Sequence, residues 1–178
     1  MKTIYLLRHG KSSWDDETLD DFDRPLAKRG RRAAKLMGRH LADNDYIPSH
    51  ILCSSAARTR ETLEKVQGQL NGSIPTRFEK QIYMAEAPLL LRRLRRLSDT
   101  LPSVMIIGHN PGLERLADLL IGEGDGQMRQ RLAEKYPTSA LAVIAANVER
   151  WTELVPGCGR LDAFFRPKDL KKVNILKL

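Results

Sequence analysis

Two histidines and two arginines stand in this sequence where they could act on one phosphoryl group. Arg8-His9-Gly10 closes the apolar run Thr3 to Leu7, and Gly108-His109-Asn110 closes the run Val104 to Ile107. Between them, Ser54-Ser55 closes Ile51 to Cys53, with Arg58 one helical turn beyond. Arginine holds phosphate oxygens through paired donors, and imidazole offers either a nucleophilic nitrogen or a hydrogen-bond donor. Phosphoryl transfer needs mainly positioning and neutralisation of the charge on three equatorial oxygens. Cationic side chains can supply both, so the set calls for no metal and no cofactor. Arg58 is marked out by its place near a helix N-terminus, which itself favours anions. His40, His50 and Arg60 have no such placement and read as structural or surface residues.

These residues converge only if the runs that carry them are neighbouring strands. Thr3 to Leu7, Ile51 to Cys53, Val104 to Ile107 and Ala140 to Ala146 read as strands, with a weaker one at Thr76 to Phe78. Helices are predicted between them. The first follows Pro25, with Ala33, Leu36, Met37 and Leu41 at helical spacing, and ends near Asp43-Asn44. The second runs from Ala57 to Leu70, with Ser54-Ser55 offering hydroxyls at its start. A leucine- and arginine-rich helix ends before Pro102, and a last one carries Leu113, Leu116, Ala117 and Leu120 on one face. Val148 to Leu154 and Leu161 to Phe165 suggest a hairpin-like end to the sheet, with Pro156-Gly157 in the turn. Alternating strands and helices define an α/β fold, a three-layer αβα sandwich around a mostly parallel sheet. Ligands of such sheets bind beyond the carboxyl ends of the strands, where the histidines and arginines lie.

The chain of 178 residues suits one domain, 1–178. With 42% hydrophobic and 29% charged residues it has neither the composition of a disordered chain nor a run able to span a bilayer. The apolar run Ile4 to Leu7 is too short for a signal-peptide core, which places the protein in the cytoplasm, without a membrane partner. Cys53 and Cys158 form no metal-binding spacing and no disulfide framework. The net charge of +8 suits an anionic partner. Its distribution is uneven: Asp15 to Asp23 holds six acidic residues in nine, and Lys28 to Arg39 holds six basic ones. These two groups are expected to pair, and Arg92, Arg93, Arg95 and Arg96 to form a solvated helix face. The basic runs carry no interleaved aromatic residues, so nucleic acid is not the expected partner.

In these motifs the sequence resembles the histidine phosphatase superfamily, which has the phosphoglycerate-mutase-like fold. The resemblance rests on Leu7-Arg8-His9-Gly10, on Ser54-x-x-x-Arg58-x-x-x-Thr62 and on Gly108-His109, and covers roughly Met1 to Ile121. It is nearest to the small SixA-type phosphohistidine phosphatases, through Arg8-His9-Gly10-Lys11-Ser12, Asp23-Arg24-Pro25-Leu26 with Arg29-Gly30, and Gly108-His109-Asn110-Pro111-Gly112. The resemblance implies that His9 is the nucleophile and that Arg8, Arg58 and His109 complete the phosphate pocket. Ser12 and Asn110 are candidates for further hydrogen bonds to the phosphate or the histidines. Mutase and phosphomonoesterase relatives carry a glutamate that protonates the leaving group, and Glu86, after Tyr83, is the candidate for that general acid. SixA-type members are thought to lack a true acid, which suits a phosphorylated imidazole because it leaves more readily than an alkoxide.

The expected activity is therefore a signalling phosphatase that hydrolyses phosphohistidine in a protein partner through a phosphorylated His9. One alternative is a phosphatase for a small phosphorylated metabolite, with Glu86 as acid. Another, of a different class, is a non-catalytic module that binds phosphorylated protein or nucleic acid through its basic surface. The acidic segment Asp15 to Asp23 directly follows the nucleophile and is expected to border the mouth of the pocket.

Overall fold

The structure, a computed structural model, describes residues 1–170. The expected domain span reaches 178, so its last eight positions lie outside the described residues. Seven strands form one sheet in the order β3-β2-β4-β1-β6-β7-β5. They are β1 (Lys2–Arg8), β2 (Ile51–Ser54), β3 (Thr76–Glu79), β4 (Ser103–Gly108), β5 (Ile121–Gly124), β6 (Leu141–Ala146) and β7 (Gly159–Phe165). The pairs β3-β2, β2-β4, β4-β1 and β5-β7 are parallel, whereas β6 runs antiparallel to both β1 and β7.

Side chains alternate across each strand, and the alternation divides the core in two. Ile4, Leu6, Val104, Ile106, Ala142 and Ile144 face one side, where α3 (Ala87–Leu94) and α4 (Gly112–Leu120) cover them. Tyr5, Leu7, Met105, Ile107, Leu141 and Val143 face the other, under α1 (Lys28–Asp43) and α2 (Ala57–Gln67). Because both faces are covered, β4 and β6 are buried along their whole length, which is why they read as continuous apolar runs. The expected αβα sandwich with a mostly parallel sheet is present.

Three local readings need correction. Val148 to Leu154 is not a strand: a 3-10 turn at Trp151–Glu153 buries the Trp151 indole, whose Nε1 donates to Leu101 O at 3.0 Å. The antiparallel neighbour of β7 is instead β6. β5 and α5 (Gly126–Glu134) were not anticipated, since β5 has one buried residue, Ile121, and three exposed ones. The arginines in and just after α3 are not all solvated. Arg93 holds Glu79 through Nη2 at 2.7 Å, and Arg95 donates through Nε to Leu154 O at 2.8 Å. Among the described residues, no helix is long and apolar enough to cross a membrane.

Candidate active site

Strand register brings the site together. Arg8 on β1 lies opposite Gly108 on β4, and His9 N donates to Gly108 O at 3.1 Å. The next residues in each chain segment, His9 and His109, are therefore neighbours, with ring centroids 5.0 Å apart. On the other side of β4, Cys53 of β2 pairs with Ile107, which places Ser54 beside the same strand end. α2 then starts at Ala57, so Arg58 enters the pocket from its first turn. One turn later Thr62 Oγ1 donates to Arg58 O at 2.6 Å and accepts from Gly10 N at 2.9 Å, tying the helix to the loop after His9.

His9, Arg58 and His109 are buried, with 8%, 4% and 3% of their surface exposed. A ring nitrogen that faces a carbonyl must carry the proton, because the carbonyl only accepts. His9 Nδ1 lies 2.7 Å from Gly10 O, so the lone pair resides on Nε2. The same logic fixes His109. Arg58 Nη2 can only donate, so at 3.3 Å it meets a bare Nδ1, and His109 Nε2–H donates to Ser54 Oγ at 2.9 Å. Both histidines are held neutral. Burial, followed by the charges of Arg58 and Arg8, lowers the His9 pKa from 6.5 to about 4. Burial, then His9 and Arg58, lowers that of His109 to about 3.

The remaining expected residues are less central. Arg8 Nη1 donates to Tyr136 O at 2.8 Å, and its buried Nε has no protein partner. Asn110 Nδ2 donates to Glu114 Oε2 at 2.8 Å and to Tyr136 O at 3.2 Å, while its Oδ1 is buried and unpartnered. Ser12 is joined by a bridge to Leu26 in the return of the acidic loop. Glu86 is exposed at the N-terminus of α3 and pairs with Arg115 of α4 at 3.0 Å. Ser54 does not start α2 through a side-chain cap as expected; its hydroxyl serves His109.

Two participants were missed by sequence reasoning. Asp21, from the acidic segment, accepts from Arg58 Nη2 at 2.9 Å and from Tyr83 Oη at 2.5 Å, and its carbonyl accepts from Arg58 Nη1. Tyr83 stands edge-on to His109 at 5.2 Å and to Phe22 at 5.0 Å, joining the acidic segment to the histidine. Tyr83, then Arg58, holds the Asp21 carboxyl below its ordinary range against the effect of burial. The expected pairing of the acidic segment with α1 is absent among the described residues: Arg31 of α1 pairs with Glu61. The crowding of acidic residues was visible in the sequence, but nothing in it singled out Asp21.

Two histidines and two arginines thus gather at the ends of adjacent parallel strands, an arrangement whose donors and charge suit a phosphoryl group. A family model, the histidine phosphatase superfamily (branch 1), matches residues 4–82. An uncharacterized protein of Mycobacterium tuberculosis is 34% identical over 91% of this chain and 100% of its own length. A solved SixA protein of Agrobacterium tumefaciens, which carries the name of a phosphohistidine phosphatase, is 32% identical. The match covers 93% of this chain and 98% of that one, with a TM-score of 0.79. A protein histidine phosphatase SixA complexed with tungstate shares the fold at 24% identity and a TM-score of 0.76, over 94% and 99% of the two chains. The chain belongs to the histidine phosphatase superfamily. Within that superfamily it is SixA-like.

Proposed function

We propose that the protein hydrolyses phosphohistidine in a protein partner, in the cytoplasm, through a phosphorylated His9. The observation that carries this reading is the fixed tautomer of His9, whose Nδ1–H is bound by Gly10 O, leaving the Nε2 lone pair free in a ring near enough to Arg58 and Arg8 for their charges to bear on it. Nε2 attacks phosphorus, the N–P bond of the substrate breaks, and the departing imidazole takes a proton from solvent. Water then attacks the phosphorylated His9, releasing orthophosphate and restoring the imidazole. Arg8, Arg58 and His109 serve as the positive and hydrogen-bonding surround of the transferring group. The pairing of Glu86 with Arg115 in solvent supports a leaving group that needs no general acid, and so favours phosphohistidine over an alkyl ester.

Incubation with a labelled phosphohistidine protein should give an acid-labile, alkali-stable phosphoenzyme that is lost in His9→Ala. Label persisting in that variant overturns the role of His9. Glu86→Gln should leave turnover of phosphoramidate unchanged. A loss of about 10²-fold or more, confined to an alkyl phosphate, would instead assign the protein to small phosphate esters.

A further inference from the structure

Beside the catalytic pocket lies a second cleft of about 490 Å³, a volume typical of small-molecule sites. Its cationic lining consists of Lys11, Arg29, Arg32, Lys135, Arg166 and Lys168. The contributing segments are the loop after β1, the first turns of α1, the approach to β6 and the exit from β7. Because β6 is antiparallel to both β1 and β7, all of them meet at the sheet end where His9 stands. The cleft lies on the β6-β7 side, whereas Arg58 and His109 come from the β2-β4 side.

Most of this charge is uncompensated. Arg166 is bound by Asp169 at 2.9 Å, and that carboxylate is shared with Arg131. Among the described residues, the other five cations pair with no carboxylate. The acidic segment, which could have neutralised α1, sends Asp21 to Arg58 instead. Arg29 and Arg32 are three residues apart and so share one face of α1, where like charges repel. A concave arrangement of unpaired cations focuses positive potential, and a multivalent anion relieves the repulsion. The cleft is not purely polar: Ala33, Pro137 and Pro167 give it apolar walls.

We propose that this cleft is a second anion-binding site, separate from the catalytic pocket, for a small molecule bearing two or more phosphate groups. The limited volume of the concavity, about 490 Å³, favours a small molecule over an extended acidic protein segment, and the number of cations favours more than one phosphate. The proposal is independent of the reaction assigned to His9, because none of the cleft residues belongs to the catalytic set.

The test is calorimetric titration with inorganic tripolyphosphate while orthophosphate saturates the catalytic pocket. Wild-type protein should bind one tripolyphosphate. The doubly reversed variant Arg29→Glu with Arg32→Glu should bind it about tenfold more weakly or worse, and Lys168→Glu alone should weaken it measurably. Turnover of phosphoramidate should be unchanged in both variants, which also shows that they are folded. Equal affinity in wild type and the double variant would overturn the proposal. So would an acidic peptide of the same net charge binding as tightly as tripolyphosphate, since the cleft would then be a protein docking surface.

Discussion

Arg58 directs Nη2 at the Asp21 carboxylate at 2.9 Å and Nη1 at the Asp21 carbonyl, so one residue of the acidic segment takes both ends of the buried guanidinium. The side chain of Arg58 is 5% exposed and that of Asp21 is 54% exposed. A carboxylate from the pocket rim therefore stands where a planar fork would otherwise hold phosphate oxygens. If Arg58 holds the substrate phosphate as proposed, that phosphate must displace Asp21 or share the guanidinium with it.

This competition gives Asp21→Asn a definite sign. The amide oxygen can still accept from Tyr83, but it no longer carries the charge that competes with phosphate. The inhibition constant of orthophosphate should fall roughly three- to tenfold, the ~1 kcal/mol scale of one partly exposed ion pair. Competitive inhibition of aryl phosphate hydrolysis measures it. A rise would mean that Asp21 holds Arg58 in place for phosphate and does not block it.

The depressed pKa of His9 sets the pH dependence. As the proposed nucleophile His9 must be neutral, and burial with the nearby arginines keeps it so down to about 4. After correction for substrate ionisation, kcat/KM should stay level from about pH 8 to about pH 5 and fall only below that, since this parameter reports groups of the free enzyme. A histidine at its ordinary value would already be losing activity near pH 6.5. Arg58→Met removes a cation that lowers the His9 pKa, so its acid limb should move to higher pH. A stopped series of initial rates for the two proteins checks both points.

The centre of the site was legible in the sequence because each of its four members sits at, or one helical turn beyond, the end of a strongly apolar run. Such runs become buried parallel strands, and in this sheet β2, β4 and β1 are adjacent, so Arg58, His109 and His9 had to meet. The rim was not legible. Asp21 reaches Arg58 across 37 positions and Tyr83 across 62, through loops whose path no local pattern specifies. Ser54 was noticed for the wrong reason: a serine before a helix suggests a cap, but its hydroxyl is taken by a histidine that arrives from β4. β5 failed for a simpler reason, since a four-residue edge strand with one buried side chain has almost no hydrophobic pattern to read.

Ser54 also gives a test of how His109 is held. Arg58 Nη2 fixes the proton of His109 on Nε2, and Ser54 Oγ, fully buried, is the acceptor at 2.9 Å. In Ser54→Ala the ring loses that acceptor at a place where water has little access, and an unsatisfied buried donor costs about 1–3 kcal/mol. His109 can escape the cost only by turning, which breaks its contact with Arg58 and moves it relative to His9, its neighbour at 5.0 Å. The expected result is a fall of about tenfold in kcat with phosphoramidate, together with a lower melting temperature. Ser54→Cys, which keeps a weaker polar group of similar shape, should recover part of both. If kcat is unchanged while the melting temperature falls, the Ser54 contact supports the fold alone and His109 does not depend on it for its place beside the nucleophile.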